Sequence, residues 1–274
     1  MNQVFIGVCL TYDDYVKNKE VLLKSLNNLK KVFNEKCYIY IVIQSNCDIS
    51  LFESGIDYLV IREMNVSNAR NLCIEKSSKE GFKYLLFHDA TIFWTVNAAL
   101  FIKEKINQDV LLKVKLKFTD ITYNNDKSKF TVDGTYKKIN PMYNTYVGMY
   151  LFEVEKIKNI KFSTEHGPGS NTKYKSGEDV LFLYDYMNLN GDIIVYESNQ
   201  HFIEHPKRDS DYSKHLYYAY GQGRVFRVLL KSKNNYHIYL DLMFFLGNAC
   251  VRCFMFKKNS LNILKLRIKG LLNL

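Results

Sequence analysis

Proline is scarce in this 274-residue chain, with three in all, while 15% of the residues are aromatic. That balance excludes a disordered or low-complexity protein, and the lack of self-similar segments excludes a solenoid. No basic, small-residue leader precedes the first apolar run, so "MNQVFIGVCLTYDD" reads as an opening strand rather than a signal peptide. No glycine-rich phosphate loop follows that strand, which speaks against a nucleotidyltransferase on a similar sheet. The six cysteines (9, 37, 47, 73, 250, 253) lie mostly in apolar runs, where a thiol behaves as a small buried hydrophobe. Cys250 and Cys253 form a CxxC with no second pair at zinc spacing. A reduced, cytoplasmic setting is expected. In the C-terminal region the longest uncharged run, Leu242 to Val251, has 10 residues, about half of the roughly 20 needed to span a bilayer.

Hydrophobic residues make up 47% of the chain, enough for a substantial core in one main domain with appendages. The formal charge is +10 and unevenly spread. From Arg224 to Leu274 ten lysines and arginines face a single acid, Asp241, so nearly all the net charge belongs to the tail. That asymmetry points to an anionic surface met by the C-terminus, not to a nucleic acid cradled by the whole domain.

Short apolar runs at 3–10, 38–43, 57–61 and 83–87 read as strands covered on both faces of a parallel sheet. Leu22, Leu26, Leu29 and Phe33 recur at helical spacing between the first two. Between the third and fourth, "SNARNLCIEKSSKEG" predicts a helix with Ser67 as cap and Gly81 as stop. A helix near 95–106 follows, then alternating strands at 110–118, 129–139 and 145–154. A loop at 163–177 leads to a helix opening on Glu178 and Asp179 and ending at Gly191; a strand at 192–198 and the polar segment "NQHFIEHPKRDS" come next. Strands alternating with helices predict a layered α/β sandwich. Ligands of such sheets bind beyond the carboxyl ends of the strands, where 11–14, 44–48 and 88–91 are all polar.

Four pieces in this order carry a family resemblance: the opening strand with "TYDD", "NVSNARNLCIEKSSKEGFKYLLFHDAT", "GPGSNTKYKSGEDVLFLYDY", and "HFIEHP" followed by "YAYGQGRVFRVLL". Together they resemble the inverting family 2 glycosyltransferases of the GT-A fold, the bacterial type that builds polysaccharide, lipopolysaccharide and capsule from nucleotide sugars. The resemblance implies a Rossmann-like mixed sheet flanked by helices and a hexosyltransferase activity. Its DxD-like motif corresponds to Asp89, Ala90 and Thr91, with one acid where the family has two. Asp89 would hold Mn²⁺ or Mg²⁺ against the donor diphosphate, because both ions prefer oxygen ligands. His201 and His205 both stand where a further ligand is expected, and His205 is favoured since Pro206 fixes its loop.

By the same resemblance Asp179 is the base that deprotonates the acceptor hydroxyl, Glu178 orients the acceptor, and Gly177 lets the backbone approach the sugar. Thr11, Tyr12, Asp14, Gln44 and Asn46 are the expected nucleotide contacts, with the amides of Gln44 and Asn46 able to pair with a uracil edge. Asn68, Arg70, Asn71 and Thr91 are expected around the diphosphate and donor sugar, and His88 is counted with them although it alternates away from Asp89 along the strand, which also suits a structural histidine. The implied partners are a nucleotide sugar, with UDP the expected carrier, and a saccharide or lipid-linked glycan acceptor.

The expected division is a GT-A domain at 1–223 and a basic helical tail at 224–274. In the tail Leu261, Leu264, Ile268 and Leu271 repeat at helical spacing, with Lys265, Arg267 and Lys269 toward another face. Such a helix would lie on an anionic membrane, placing the enzyme on the inner face of the cell membrane; docking on the domain or on a second copy is the alternative. A catalytically inactive basic protein that grips nucleic acid is a competing expectation, although the tail's charges alternate with leucines rather than with stacking aromatics.

Overall fold

The computed structural model describes residues 3–46, 56–121, 130–207, 213–232 and 236–274. Four parallel strands form one half of its sheet: β1 (Val4–Thr11), β2 (Cys37–Gln44), β3 (Asp57–Ile61) and β4 (Tyr84–Asp89). The other half is mixed, with β5 (Phe93–Trp94), β6 (Leu111–Phe118), β7 (Gly134–Lys138), β8 (Tyr150–Glu153) and β9 (Ile194–His205). The order is β3-β2-β1-β4-β8-β6-β9-β5, with β7 also paired to β9. β1 is central, which is why Val4 to Leu10 are all buried: a strand roofed on both faces needs no polar alternation. β3 is at the sheet edge and stays largely exposed despite its apolar run.

Helices α1 (Tyr12–Phe33) and α3 (Val96–Lys105) lie on one face, and α2 (Val66–Lys79), the single turn α4 (Val154–Ile157) and α5 (Glu178–Asn190) on the other. Leu22, Leu26, Leu29 and Phe33 bury the inner stripe of α1, as their spacing predicts. The cap of α2 is Asn65, whose side chain accepts the Asn68 N–H, rather than Ser67. Ser67 instead donates its hydroxyl to the His166 carbonyl and pins the 163–177 loop to the helix start. Two expected strands are shorter: a 3₁₀ turn at Val147–Met149 leaves β8 four residues, and β7 begins only at Gly134. β9 is longer, running 12 residues through the polar segment because β6 and β5 offer it partners on either side.

The chain ends in three helices, α6 (Ser213–Ser232), α7 (Tyr236–Phe254) and α8 (Ser260–Leu272). Residues 223 and 224 both lie inside α6. α6 and α8 touch through glycine: a Cβ on Gly270 would sit 2.1 Å from the Tyr220 carbonyl oxygen. The buried side of α8 is therefore Ile263, Arg267 and Gly270. Arg267, expected on the outer face with Lys265 and Lys269, points into the fold; Leu261 and Ile268 are exposed. A second core of Val225, Phe226, Leu229 and Ile238 packs on Val180, Leu181 and Tyr184, seating α6 and α7 against α5. Among the described residues no helix is long and apolar enough to cross a membrane. Cys9, Cys37, Cys73, Cys250 and Cys253 are free thiols.

Candidate active site

Strand register assembles one edge of the site. Thr11 is paired with Gln44 across β1 and β2, and Cys9 with Asp89 across β1 and β4, so the ends of three strands stand side by side. Thr11 caps α1, accepting the Asp14 N–H at 3.0 Å and donating to the Asp14 carboxylate at 2.7 Å. Tyr12 packs against the core, Gln44 is buried and Asn46 is exposed. Residues 47 and 48 of the polar group after β2 lie outside the described residues.

Alternation along β4 divides its last two residues between the faces of the sheet. His88 faces α1, buried, with Nε2 2.8 Å from the Ser25 hydroxyl, which in turn accepts the Trp94 N–H. Burial pushes this imidazole down to about 4, so it stays neutral. The expectation of His88 at the donor is corrected: it ties β4 to α1. Asp89 faces the opposite way, toward α2 and α5, and meets Arg70 of α2.

Arg70 is the centre of the site. Its guanidinium lies 2.5 Å from Asp179, 3.4 Å from Asp89 and 3.6 Å from Glu178. Two acidic groups separated by some ninety residues thus converge on one buried cation. Tyr146 donates its hydroxyl to the other Asp89 oxygen at 2.9 Å, and the Val147 N–H reaches the second Asp179 oxygen at 3.2 Å. Glu178 and Asp179 occupy the first turn of α5, where the helix N-terminus favours negative charge.

Three carboxylates share one guanidinium, which cannot compensate all of them when ionised. Burial pushes Glu178 above the usual carboxylate range, reinforced by the Asp179 charge and opposed by Arg70. Asp179 is also raised by burial, even with Arg70 in contact, because that single cation is shared with Asp89 and Glu178. Burial lowers Arg70, but the three acids outweigh it and hold the guanidinium charged.

The other expected contacts divide. Asn68 donates to Glu63 at 2.6 Å, and Asn71 clamps the Phe162 backbone with both amide atoms, at 2.8 and 3.0 Å. Residues one and two positions from Arg70 do not share its helix face, so both leave the cluster. His201 is buried against Phe130, with Nε2 2.7 Å from the Thr131 carbonyl. His205 has its Nε2 3.3 Å from the Thr91 hydroxyl, which brings it, and not His201, to the end of β4. Gly177 adopts φ +103, and a Cβ there would sit 2.2 Å from Val225, so its lack of a side chain admits α6. Tyr146 and Val147 had no motif to mark them. The signal for Arg70 was present, since it shares the buried face of α2 with Val66, Cys73 and Ser77.

Among the described residues no three His, Cys, Asp or Glu side chains gather as a metal site by themselves. Asp89 at the end of β4, and His205, which reaches Thr91 two residues on, would offer a divalent ion one oxygen and one nitrogen donor, and a diphosphate would have to complete the shell. Next to the acids opens a cavity of about 790 Å³, floored by Ser176 to Val180 and walled by α6 and α7.

Solved structures share this fold. The structure of residues 1–349 of S. aureus TarS superposes with a TM-score of 0.55 at 16% identity, over 82% of this chain and 64% of that one. The same fragment in complex with UDP-GlcNAc gives 0.54 at 18% identity, over 82% and 65%. A longer TarS structure gives 0.52 at 16% identity, over 83% of this chain and 39% of that one. The chain therefore spans less than two thirds of these proteins. No family profile and no curated protein sequence matches it. The fold is the GT-A glycosyltransferase fold, a mixed sheet flanked by helices.

Proposed function

We propose that the protein is an inverting glycosyltransferase that moves a sugar, of hexose type, from a nucleoside diphosphate to a saccharide or lipid-linked acceptor in cell-surface polysaccharide synthesis. The observation that carries this is the joining of Asp89 and Asp179 by Arg70 at the carboxyl end of a GT-A sheet. One structural neighbour was crystallised with UDP-GlcNAc, which supports a UDP sugar as donor. Gln44, Asn46 and Tyr12 would meet the base, and Arg70 and Thr91 the diphosphate.

Asp179 takes the proton of the attacking hydroxyl. Burial raises its basicity, and the Val147 N–H and Arg70 hold its orientation. Glu178 beside it orients the acceptor. Tyr146 and Arg70 fix Asp89. A divalent ion, Mn²⁺ or Mg²⁺, held by Asp89 and His205, would neutralise charge on the departing diphosphate.

The tail offers a membrane contact, and besides the exposed Leu261 and Ile268 of α8 it has a second apolar patch. At the turn after α7, Phe254, Met255 and Phe256 are exposed, Phe256 by 94% and at φ +51, and Lys257 and Lys258 follow. Exposed aromatics next to lysines suit an anionic lipid surface, placing the enzyme peripherally on the inner face of the cell membrane.

Incubating the protein with radiolabelled sugar nucleotides and membrane extract tests the reading. Transfer from one donor, with nucleoside diphosphate released, is expected. No transfer from any donor, together with salt-sensitive duplex binding and no thermal response to diphosphates with Mn²⁺, would replace it with the nucleic-acid reading.

A further inference from the structure

We infer that the cavity beside Asp179 takes an acceptor that carries an oxyanion, a phosphate or a carboxylate, seated against Arg252 and Arg267. The inference rests on the glycosyl transfer proposed above and names the acceptor's chemistry.

Groups of both signs line the cavity: Glu178 and Asp179 of α5, and Arg252 of α7 with Arg267 of α8. Phe244, Phe245, Asn248 and Arg252 follow helical spacing along α7, so a single face of that helix lines the cavity. Aromatic rings with a few convergent polar groups make the usual lining of a small-molecule site, and here they suit the apolar face of a sugar.

Arg267 is the unusual member. It is 8% exposed, yet among the described residues its hydrogen bonds go to neutral oxygens, of Gln222 at 3.1 Å and the Phe245 carbonyl at 3.4 Å. Its guanidinium sits 4.0 Å above the Phe245 ring, and its Nε is buried with no partner. Among the described residues no carboxylate lies at ion-pair distance from it. Asp241 lines the same cavity but is held by Asn140 at 3.0 and 3.3 Å and by Tyr143. Burial and the charge of Arg252 push Arg267 down to about 10.

A buried cation beside a second cation costs free energy until an anion completes the group. A neutral glycan would leave that cost in place. An oxyanion would accept charge-assisted hydrogen bonds from both guanidiniums, whose planar forks match phosphate and carboxylate geometry.

The test uses the full chain saturated with UDP and three probes: methyl β-glucoside, its 6-phosphate, and methyl β-glucuronide, each titrated calorimetrically. The charged probes should bind at least about tenfold tighter than the neutral one, the scale of one charge-assisted contact. Arg252→Gln should cut that preference to about threefold or less, with UDP affinity held within about twofold. Arg267→Gln, at the more buried position, should do the same. Equal affinity for all three probes in the wild type, or a preference kept by both variants, overturns the inference. A stronger phosphate arm assigns a phosphate-bearing acceptor, and a stronger carboxylate arm a uronic acid. UDP titrated alone reads the donor: its failure to bind sinks the proposed transfer, while the charge preference among the probes is scored separately.

Discussion

Two buried arginines, one in each half of the molecule, face opposite electrostatic problems. Arg70, under the sheet, is surrounded by Asp89, Glu178 and Asp179, and its charge is secured. Arg267, in the C-terminal helices, is nearly as buried, but it meets neutral oxygens, a phenyl ring and a second arginine, and its charge is destabilised. The contrast teaches that burial alone does not define an arginine's work. A compensated cation organises the groups around it; an uncompensated one is a site awaiting an anion.

The sharpest way to break this comparison is to remove both charges in turn. Arg70→Met leaves three buried acids without a cation and should destabilise the protein by about 3–5 kcal/mol, read as a shift in urea midpoint. Arg267→Met should change stability by less than about 1 kcal/mol, since the lost ring contact is offset by relief of an unpaired buried charge. Equal losses would erase the distinction. Next comes the chemistry that Arg70 organises: Asp179→Asn should slow transfer by about 10²–10⁴-fold with UDP affinity nearly intact, measured by initial rates and calorimetry.

A smaller effect is expected where the helices meet. Gly270→Ala drives a methyl toward the Tyr220 carbonyl and should cost about 1–3 kcal/mol, with the C-terminal helices cleaved by protease before the sheet. Smaller again is the pH response of the acids. Glu178 and Asp179 are raised in the fold, so the stability they contribute is full below the ordinary carboxyl pKa and lost as pH rises through the raised values. Urea midpoints should therefore fall between about pH 4 and about pH 7, and Glu178→Gln should flatten the decline. The transfer rate should rise over the same interval as Asp179 ionises. Least of all, Phe256→Gly relieves a positive φ and should shift stability by no more than about 1 kcal/mol, yet weaken binding to phosphatidylglycerol vesicles several-fold.

Much of this was legible in one dimension. The parallel half of the sheet followed from continuous apolar runs, and α1, α3 and α5 from periodicity and caps. The misreadings share a cause: each concerned a direction in space. Asn68 and Asn71 flank Arg70, and helix rotation carries them to other partners. Arg267 reads as one of three outward cations on α8 until the glycine contact with α6 sets which face is inside.

Residue type and order alone determined the α/β layering, the polar strand ends and the concentration of positive charge in the last fifty or so residues, because local periodicity and composition need no knowledge of distant neighbours. Only the tertiary structure decided that Asp89 and Asp179 share one guanidinium, that His205 rather than His201 reaches Thr91, and that Arg252 and Arg267 close a cavity opened by the acids. Each of these depends on strand register and helix crossing, and those are set by packing over the whole chain.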